Sequence, residues 1–463
     1  GIAELGVTAV ELMPVADFPG RRNWGYDGVL MYAPDRAYGT PKELKGLIDT
    51  AHGLGLMVLL DVVYNHFGPD GNYLGAYASA FFQADAATPW GTAINFRRPE
   101  VRGFFIDNAL YWLLEYRFDG LRFDAVHAIA DRGFLLELAA TVRGAVEPGR
   151  QVHLVLENDG NDAGLLRARP DSAGYDAQWS DDTHHALHAL LTGERSGYYA
   201  DYQEPAVALA RALSEGFAYQ GEPSPYRGGR HRGTPSGHLP PTAFVIFLQN
   251  HDQIGNRALG ERLSVLADAD ALRAATFLVL LAPQIPLIFM GEAWGETRPF
   301  LFFTDHAAGL AEAVREGRRR EFRRFAEFAD PEVRLRIPDP NDPETFLRSI
   351  PTPPEERSAA GQAWRDLHRR LLALRATHVV PALPGARTIG AAALGSSGVR
   401  AAWRLGNGAE LVIAANFGAA PVAVEPGEGA LLAAVPDAPA EAAFGEGRLA
   451  ARSAAAWLER ARR

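Results

Sequence analysis

Short, almost wholly apolar runs recur along the chain as far as Met290, and each is followed by a stretch of helical periodicity. Leu56-Met57-Val58-Leu59-Leu60-Asp61-Val62-Val63 is the clearest of them, nearly continuous in the way a parallel strand covered on both faces must be. A chain that alternates strand and helix like this builds a parallel sheet with helices outside it. The pattern predicts strands ending near Met13, Asp61, Asp124, Glu157, Trp179, Gln249 and Met290. It predicts helices over 41–54, 99–116, 132–146, 181–191, 204–216 and 271–281, the first with Thr40 as N-cap and Pro41 at the opening position. The expected fold class is α/β, a (β/α)₈ TIM barrel one strand short, which would leave unpaired edges. Because the chain opens at Gly1 without methionine, in what reads as the tail of a helix, the expectation is a fragment that lacks the first strand.

At 463 residues the chain suits a barrel of about 250 residues plus an appendage. We expect the barrel over 1–375, with an inserted loop region at 65–98 and a helical, proline-rich extension at 306–375 that includes a charged helical stretch over 307–329. A C-terminal all-β sandwich is expected over 376–463, with strands at 399–405, 409–416, 422–424 and 430–434. A net charge of -10 argues against nucleic acid as a partner, which would need a basic face. The absence of cysteine rules out disulfides and thiolate metal sites and permits a cytoplasmic location. The longest apolar run, Phe277 to Met290, is broken by Pro283 and Pro286, so no membrane span is expected.

Three carboxylates close or follow predicted strands: Asp124 in Gly120-Leu121-Arg122-Phe123-Asp124, Glu157 in His153-Leu154-Val155-Leu156-Glu157, and Asp252 in Asn250-His251-Asp252-Gln253. Chemistry in barrels gathers at the C-terminal ends of the strands. Residues two apart on a strand share a face, so Arg122 and Asp124 point together into the barrel mouth while Leu121 and Phe123 face the helices. A guanidinium there favours an ionised carboxylate, as a nucleophile requires. Glu157 has no cationic neighbour in sequence and has Asp159 nearby, a setting for a proton donor. Each segment also has a plain reading: a buried ion pair, a solvated loop acid, a capped loop, and for His66 in Asp61-Val62-Val63-Tyr64-Asn65-His66 a structural histidine. His184 and His188 have a zinc-like spacing but no third ligand, Asp70-Gly71-Asn72 reads as a turn, and 221–241 reads as a surface loop. Tryptophans are core residues by default, with only Trp24 and Trp179 beside strand-end loops where a ring could stack on a ligand.

Asp-Val-Val-Tyr-Asn-His at 61–66, Gly-Leu-Arg-Phe-Asp at 120–124, Leu-Glu-Asn-Asp at 156–159 and Asn-His-Asp at 250–252 stand in the order of the signature segments of the α-amylase family of glycoside hydrolases, which the chain resembles. The resemblance implies a retaining mechanism with Asp124 as nucleophile, Glu157 as acid and base, and Asp252 as stabiliser of the transition state. Further segments, Trp24 to Gly28, Arg122 to His127, Trp179 to His185, Thr192 to Glu194 with Gly197 to Tyr199, Gln249 to Arg257 and Phe300 to His306, are similar to the branch that releases trehalose from maltooligosyltrehalose. That likeness implies a cleft lined by Tyr26, His66, Arg122, His127, Asp181, Asp182, His184, His185, His251, Gln253 and Asn256, with Tyr26 as an aromatic platform. It implies maltooligosyltrehalose or another α-1,4-glucan as the partner, and no cofactor or metal. The chain departs from the pattern at Ala293, where relatives carry a second acid, and at Asn95 to Pro99, which is shorter and more basic. A glucan branching enzyme, an α-amylase, or a non-catalytic carbohydrate-binding barrel are the alternatives.

Overall fold

Seven parallel strands form one sheet in strict chain order: β1 (Ala9–Leu12), β2 (Met57–Val62), β3 (Gly120–Phe123), β4 (His153–Leu156), β5 (Ala177–Trp179), β6 (Phe244–Phe247) and β7 (Ile285–Leu287). The computed structural model describes every residue except 89, 168–173, 324–327, 329, 437–446 and 460–463, and describes 84–87 by backbone alone. Helices α1 (Pro41–Gly53), α2 (Pro99–Leu110), α3 (Arg132–Ala145), α4 (Asp181–Thr192), α5 (Pro205–Glu215) and α6 (Ala269–Leu281) lie between the strands. Each connection holds one of them, except that from β4 to β5, which has only a short 3₁₀ turn among its described residues, and that from β5 to β6, which holds both α4 and α5. This curled sheet with its outer helices is the architecture of a (β/α)₈ barrel. Among the described residues no strand joins β1 to β7.

Local chemistry explains the helix starts. Thr40 accepts a hydrogen bond from the backbone of Glu43 while the Glu43 carboxylate accepts from the Thr40 N–H, a reciprocal cap with Pro41 just inside it. Asp131 and Asp268 cap α3 and α6 in the same manner, each side chain accepting from the first-turn backbone.

The period of two along the strands sorts the side chains. Val58, Leu60 and Val62 of β2, Leu121 and Phe123 of β3, and Leu154 and Leu156 of β4 join Phe105, Trp112, Phe134 and Leu138 of the helices in one core. Leu59, Val155, Trp179, Val245 and Phe247 fill the sheet's concave side. Arg122 also faces inward, and it is the register that gives it partners: Asp61 of β2 lies directly beside it.

The segment at 65–98 is not a bare loop. It holds a short helix, Leu74–Tyr77, and a ribbon of Phe82–Thr88 paired with Gly91–Ile94. Asp70-Gly71-Asn72 is a turn in which Asn72 Oδ1 accepts from the Leu74 N–H. The charged stretch expected over 307–329 is helical over Ala308–Phe322; 324–327 and 329 lie outside the described residues. No helix among the described residues is long and apolar enough to cross a membrane.

The C-terminal region is an antiparallel sheet of five strands in the order β8 (Arg387–Leu394), β9 (Gly398–Arg404), β10 (Glu410–Asn416), β12 (Ser453–Glu459), β11 (Ala430–Val435). A two-stranded ribbon, Val422–Ala423 with Arg448–Leu449, accompanies it, and Val424 and Leu449 pack with Val412, Ala414 and Trp457 of one face. The other face shares a core with the barrel: Val399, Trp403, Leu411 and Ile413 sit with Leu209 and Leu213 of α5 and Phe277 and Leu281 of α6. β8 and β12 were not expected from sequence. Gly390-Ala391-Ala392-Ala393 and Ala454-Ala455-Ala456 have helix-forming composition, and here pairing with neighbouring strands overrides it.

Because that core is shared, truncating its largest sheet residue should destabilise the whole molecule. Trp403→Ala, at a side chain 0% exposed, is expected to cost about 3–5 kcal/mol in chemical denaturation followed by circular dichroism. A cost below about 1 kcal/mol would show that the sheet and the barrel helices do not stand or fall together.

Candidate active site

Asp124 and Glu157 each sit one residue beyond a strand, β3 and β4, whose register sets Phe123 beside Leu156. The two ends are tied by backbone bonds, Glu157 N–H to Phe123 O at 3.0 Å and Val126 N–H to Glu157 O at 3.0 Å. Between them Ala125 turns the chain at φ 40°, a left-handed conformation that costs strain in a residue with a Cβ. That turn aims the Ala125 N–H at Glu157 Oε2, 2.6 Å away. Asp252 comes from the short helix His251–Gly255 after β6, whose first turn is capped by Asn250 Oδ1 accepting from the Asp252 N–H at 2.9 Å. Gly255 is required there, since a Cβ would come within 2.0 Å of the Trp24 ring.

The three carboxylates line one cavity of about 460 Å³. Its floor is the Arg122 guanidinium, 0% exposed. Nη1 donates to Asp61 Oδ1 and Oδ2 at 2.9 and 2.7 Å and to Asp124 Oδ1 at 2.7 Å, while Nη2 lies 3.7 Å from Glu157 Oε2. The guanidinium stacks over Trp179 at 4.3 Å. Asn65 Nδ2 donates to the other Asp124 oxygen at 2.7 Å, so both oxygens of that carboxylate are held and aimed.

Glu157 differs. Burial pushes its carboxyl up to about 7, with Arg122 opposing the rise and the Asp124 charge adding to it. Asp159, expected to push the same way, is paired with Arg227 and Arg232, and its charge acts on Asp181. Asp252 is pushed up to about 6, by burial first, with Arg122 opposing and Asp124 adding. His251 is pushed down to about 3 by burial and then by Arg122, and so is neutral. Tyr26 Oη donates to Asp61 at 2.6 Å and lies 2.7 Å from His251 Nε2, which assigns the Nε2–H tautomer to that ring.

Seven of the expected cleft residues do line the cavity: Tyr26, His66, His127, Asp181, His185, Gln253 and Asn256. Tyr26 presents a ring backed by His251 at 5.1 Å. His66 Nε2 meets the backbone oxygen of Tyr26 at 2.9 Å. His127 Nδ1 accepts from the Asp159 N–H at 3.3 Å, and Gln253 Nε2 donates to Asp181 at 3.3 Å. Asp181 is held well above the ordinary range by burial and then by the Glu157 charge. His185 Nδ1 rests on Tyr202 Oη at 3.1 Å.

Four do not, and the expectation is corrected for each. Arg122 lies beneath the cavity as the charge partner of its acids. His251, 3% exposed, backs Tyr26. Asp182, 1% exposed, binds Arg232, Tyr202, Asn161 and the backbone of Ala218 and Tyr219 instead of a ligand. Burial alone would raise it; Arg232 and the Tyr202 hydroxyl bring it below its usual value. His184, 0% exposed, points to Leu248 O at 2.6 Å. On a helix only one stripe can face the cavity, and α4 turns His185 and Asp181 to it while His184 and His188 face the interior, where His188 meets Glu194 at 2.8 Å.

The tryptophan expectations also change. Trp179, 4% exposed, is buried under Arg122, whereas Trp24, 5% exposed, does line the cavity, with one face on Phe300 at 5.2 Å. Trp90, taken for core, is 45% exposed, lines the cavity and stacks on His66 at 5.4 Å. The stretch 221–241 is a cavity wall: Tyr226, Arg227 and Arg232 all line the site. Nothing in its Gly, Pro and Arg composition signals that. The one legible hint is the pair of unmatched arginines opposite the acids at 159 and 182.

If Arg122 is what makes this acid cluster tolerable, removing it must cost the fold. Arg122→Met is expected to lose about 3–5 kcal/mol at pH 7, since Asp61 and Asp124 would be left buried and unpaired. Burial already holds Asp61 well above the ordinary range, and loss of the guanidinium raises it further. A folded value above the unfolded one penalises the fold once pH exceeds it, so the deficit is largest at alkaline pH and shrinks as the acids protonate. Denaturation midpoints measured across pH check both; an equal deficit at acid and alkaline pH would exclude charge as the cause.

Comparison with known proteins accords with this geometry. The α-amylase catalytic domain matches residues 2–90, and a domain of unknown function (DUF3459) matches residues 386–457. The chain is 43% identical over 381 residues to the malto-oligosyltrehalose trehalohydrolase of Deinococcus radiodurans, covering 81% of this chain but 61% of that protein. It is 39% identical over 434 residues to that of Mycobacterium tuberculosis, covering 91% of this chain and 73% of that protein. The chain thus spans about three fifths to three quarters of the length of these curated relatives. A crystal structure of a Salmonella typhimurium protein, provisionally called an α-amylase, superposes with a TM-score of 0.91 at 46% identity over 99% of this chain and 77% of that one. With such identity over most of its length, the chain belongs to the malto-oligosyltrehalose trehalohydrolase family of α-amylase-type glycoside hydrolases.

Proposed function

We propose that the protein hydrolyses, with retention, the α-1,4-glucosidic bond next to the terminal trehalose of maltooligosyltrehalose and so releases trehalose. The observation that carries this is the meeting of Asp124, Glu157 and Asp252 around one cavity over a single buried arginine. Kinship with proteins named malto-oligosyltrehalose trehalohydrolase supplies the substrate.

The chemistry needs only the residues already described. An Asp124 carboxylate oxygen attacks the anomeric carbon while the Glu157 carboxyl gives its proton to the glycosidic oxygen, so the C–O bond breaks and trehalose departs with its hydroxyl restored. The glucosyl ester on Asp124 is then attacked by water, whose proton passes to Glu157. This frees Asp124, and two inversions leave the configuration retained. Asp252 offsets positive charge on the ring in both transition states, and Tyr26 with its His251 backing gives the same ring a face to rest on. The two acids are set apart by surroundings: Asp124 has fixed donors on both oxygens, whereas Glu157 is buried with a single backbone N–H donor. No cofactor or metal takes part.

Incubation of the protein with maltotriosyltrehalose, followed by product chromatography, tests the reading: trehalose and maltotriose are expected. Reducing sugars from starch with no trehalose would make the protein an α-amylase, and new α-1,6 branches a branching enzyme. Asp124→Ala and Glu157→Gln are each expected to lower kcat by at least about a thousandfold with the circular dichroism spectrum unchanged. Retention of more than a small percentage of turnover in either would reassign the role. Because Glu157 must start protonated and is pushed up to about 7, kcat/KM is expected to fall as pH rises through about 7. A profile that stays flat well above that point would place the proton donor elsewhere.

A further inference from the structure

Asp252 has no strand directly beneath it. Asp124 and Glu157 each sit one residue past a sheet strand, but Asp252 belongs to a helix of five residues, His251–Gly255, in the connection after β6. One turn of helix has few internal bonds and leaves its last carbonyls without partners, so other parts of the chain must hold it. The Asn250 cap holds its first turn. Its far end is held from more than sixty residues away.

Arg318, on the helix Ala308–Phe322, sends Nη2 to two carbonyls at once, those of Gly255 and Arg257, the second at 3.0 Å. These carbonyls flank Asn256, whose N–H donates to the Asp252 carbonyl at 2.9 Å and which lines the cavity together with Asp252. The Arg318 side chain is 9% exposed, and its guanidinium lies 5.3 Å from the Phe302 ring and 5.1 Å from the Phe322 ring. Phe302 also lines the cavity and meets Trp24 edge-on at 5.2 Å, the ring that leaves no room for a Cβ at Gly255. Phe322 packs in one cluster with Ala258, the next residue after the second carbonyl.

An arginine that served only the surface of an outer helix would leave its guanidinium in water. Here burial brings it down to about 10, with Glu321 opposing, so it is charged at neutral pH and its bonds to the two carbonyls are the strong, charge-assisted kind. A second tie comes from the same turn. Arg257 donates to both oxygens of Glu194 at 2.9 and 3.0 Å, and Glu194 meets His188 of α4. One tie runs to the barrel helices and the other to the extension beyond them, so the short helix is fixed in tilt as well as in place.

We infer that Arg318 is a positioning residue, which from outside the barrel sets the tilt of the one-turn helix and so keeps the Asp252 carboxylate against the reacting sugar ring. This rests on the role given to Asp252 above and adds the group that holds that acid in place. Misplacement of a charge-stabilising group by about one ångström weakens the transition state, whereas substrate binding is spread over the whole cavity. Loss of Arg318 therefore acts on turnover before it acts on affinity.

The test compares kcat and KM for maltotriosyltrehalose in wild type, Arg318→Met and Trp403→Ala. Methionine keeps an unbranched side chain between the two rings but has no donor for the carbonyls. Arg318→Met is expected to lower kcat at least about tenfold with KM within about threefold of wild type. Trp403→Ala destabilises the shared core without reaching this wall, and is expected to keep its kcat at a temperature where circular dichroism shows both variants folded. In an Asp252→Asn background, Arg318→Met is expected to cost less than about threefold more, because the acid it positions has already lost its charge. A folded Arg318→Met with kcat within about threefold of wild type overturns the inference, and so does an equal loss of kcat in Trp403→Ala or a loss that multiplies in full with Asp252→Asn. Should Arg318→Met not fold, Arg318→Lys takes its place under the same criteria, since it keeps the charge but replaces the planar fork with one compact head. Wild-type protein that hydrolyses no α-1,4-glucan overturns both readings, whereas trehalose release with kcat unmoved in Arg318→Met overturns this one alone.

Discussion

One guanidinium holds the centre of this molecule together. Arg122 projects from the middle of β3 into the concave side of the sheet, where a lone charge would be strongly disfavoured and a lone carboxylate equally so. Asp61 from β2 and Asp124 from the end of β3 both bond to it, and Glu157 from the end of β4 stands at its other nitrogen. Three strands are thereby fixed relative to one another by charge as well as by backbone pairing. The arrangement also limits what can be altered, because any substitution at Arg122 strands at least two buried acids.

The same cluster produces the contrast on which the chemistry turns. Two carboxylates stand over one arginine, yet they are not equivalent. Asp124 shares Arg122 with Asp61 and adds the Asn65 amide, so its oxygens are held by donors. Glu157 stands farther from the guanidinium, and burial, with the Asp124 charge adding, pushes it up. The carboxylates proposed as nucleophile and proton donor thus differ by about one ångström in distance to a single cation. A second layer, Asp182 with Arg232 and Tyr202, has nothing to do with proton transfer and serves to brace the far wall.

Much of this was legible in the chain. Strand and helix periodicity located all seven barrel strands, and alternation along β3 correctly sent Leu121 and Phe123 outward and Arg122 inward. Each acid alone had a plain structural reading; they were readable together because four segments, at 61–66, 120–124, 156–159 and 250–252, stand in one order along the chain. What misled was adjacency. Asp181-Asp182-Thr183-His184-His185 reads as one patch of ligands, but on a helix only Asp181 and His185, four apart, share the face turned to the cavity. Likewise Asp159 beside Glu157 reads as an unpaired like charge, whereas Arg227 and Arg232 arrive from far along the chain to pair with it. The alanine-rich strands β8 and β12 were hidden for a related reason, since their state depends on partners and not on their own propensity.

The amino-acid sequence by itself determined the layered α/β architecture, because that is written in a local feature, the period of the apolar residues, and it singled out Asp124, Glu157 and Asp252 through the order of four segments along the chain. Tertiary structure alone decided which side chains face the cavity, which charges are cancelled, and that Trp90 and Tyr226 are walls of the site and not core or surface. Those outcomes depend on contacts between residues tens to hundreds of positions apart, such as Arg232 with Asp182, and no local pattern encodes where two such segments will meet.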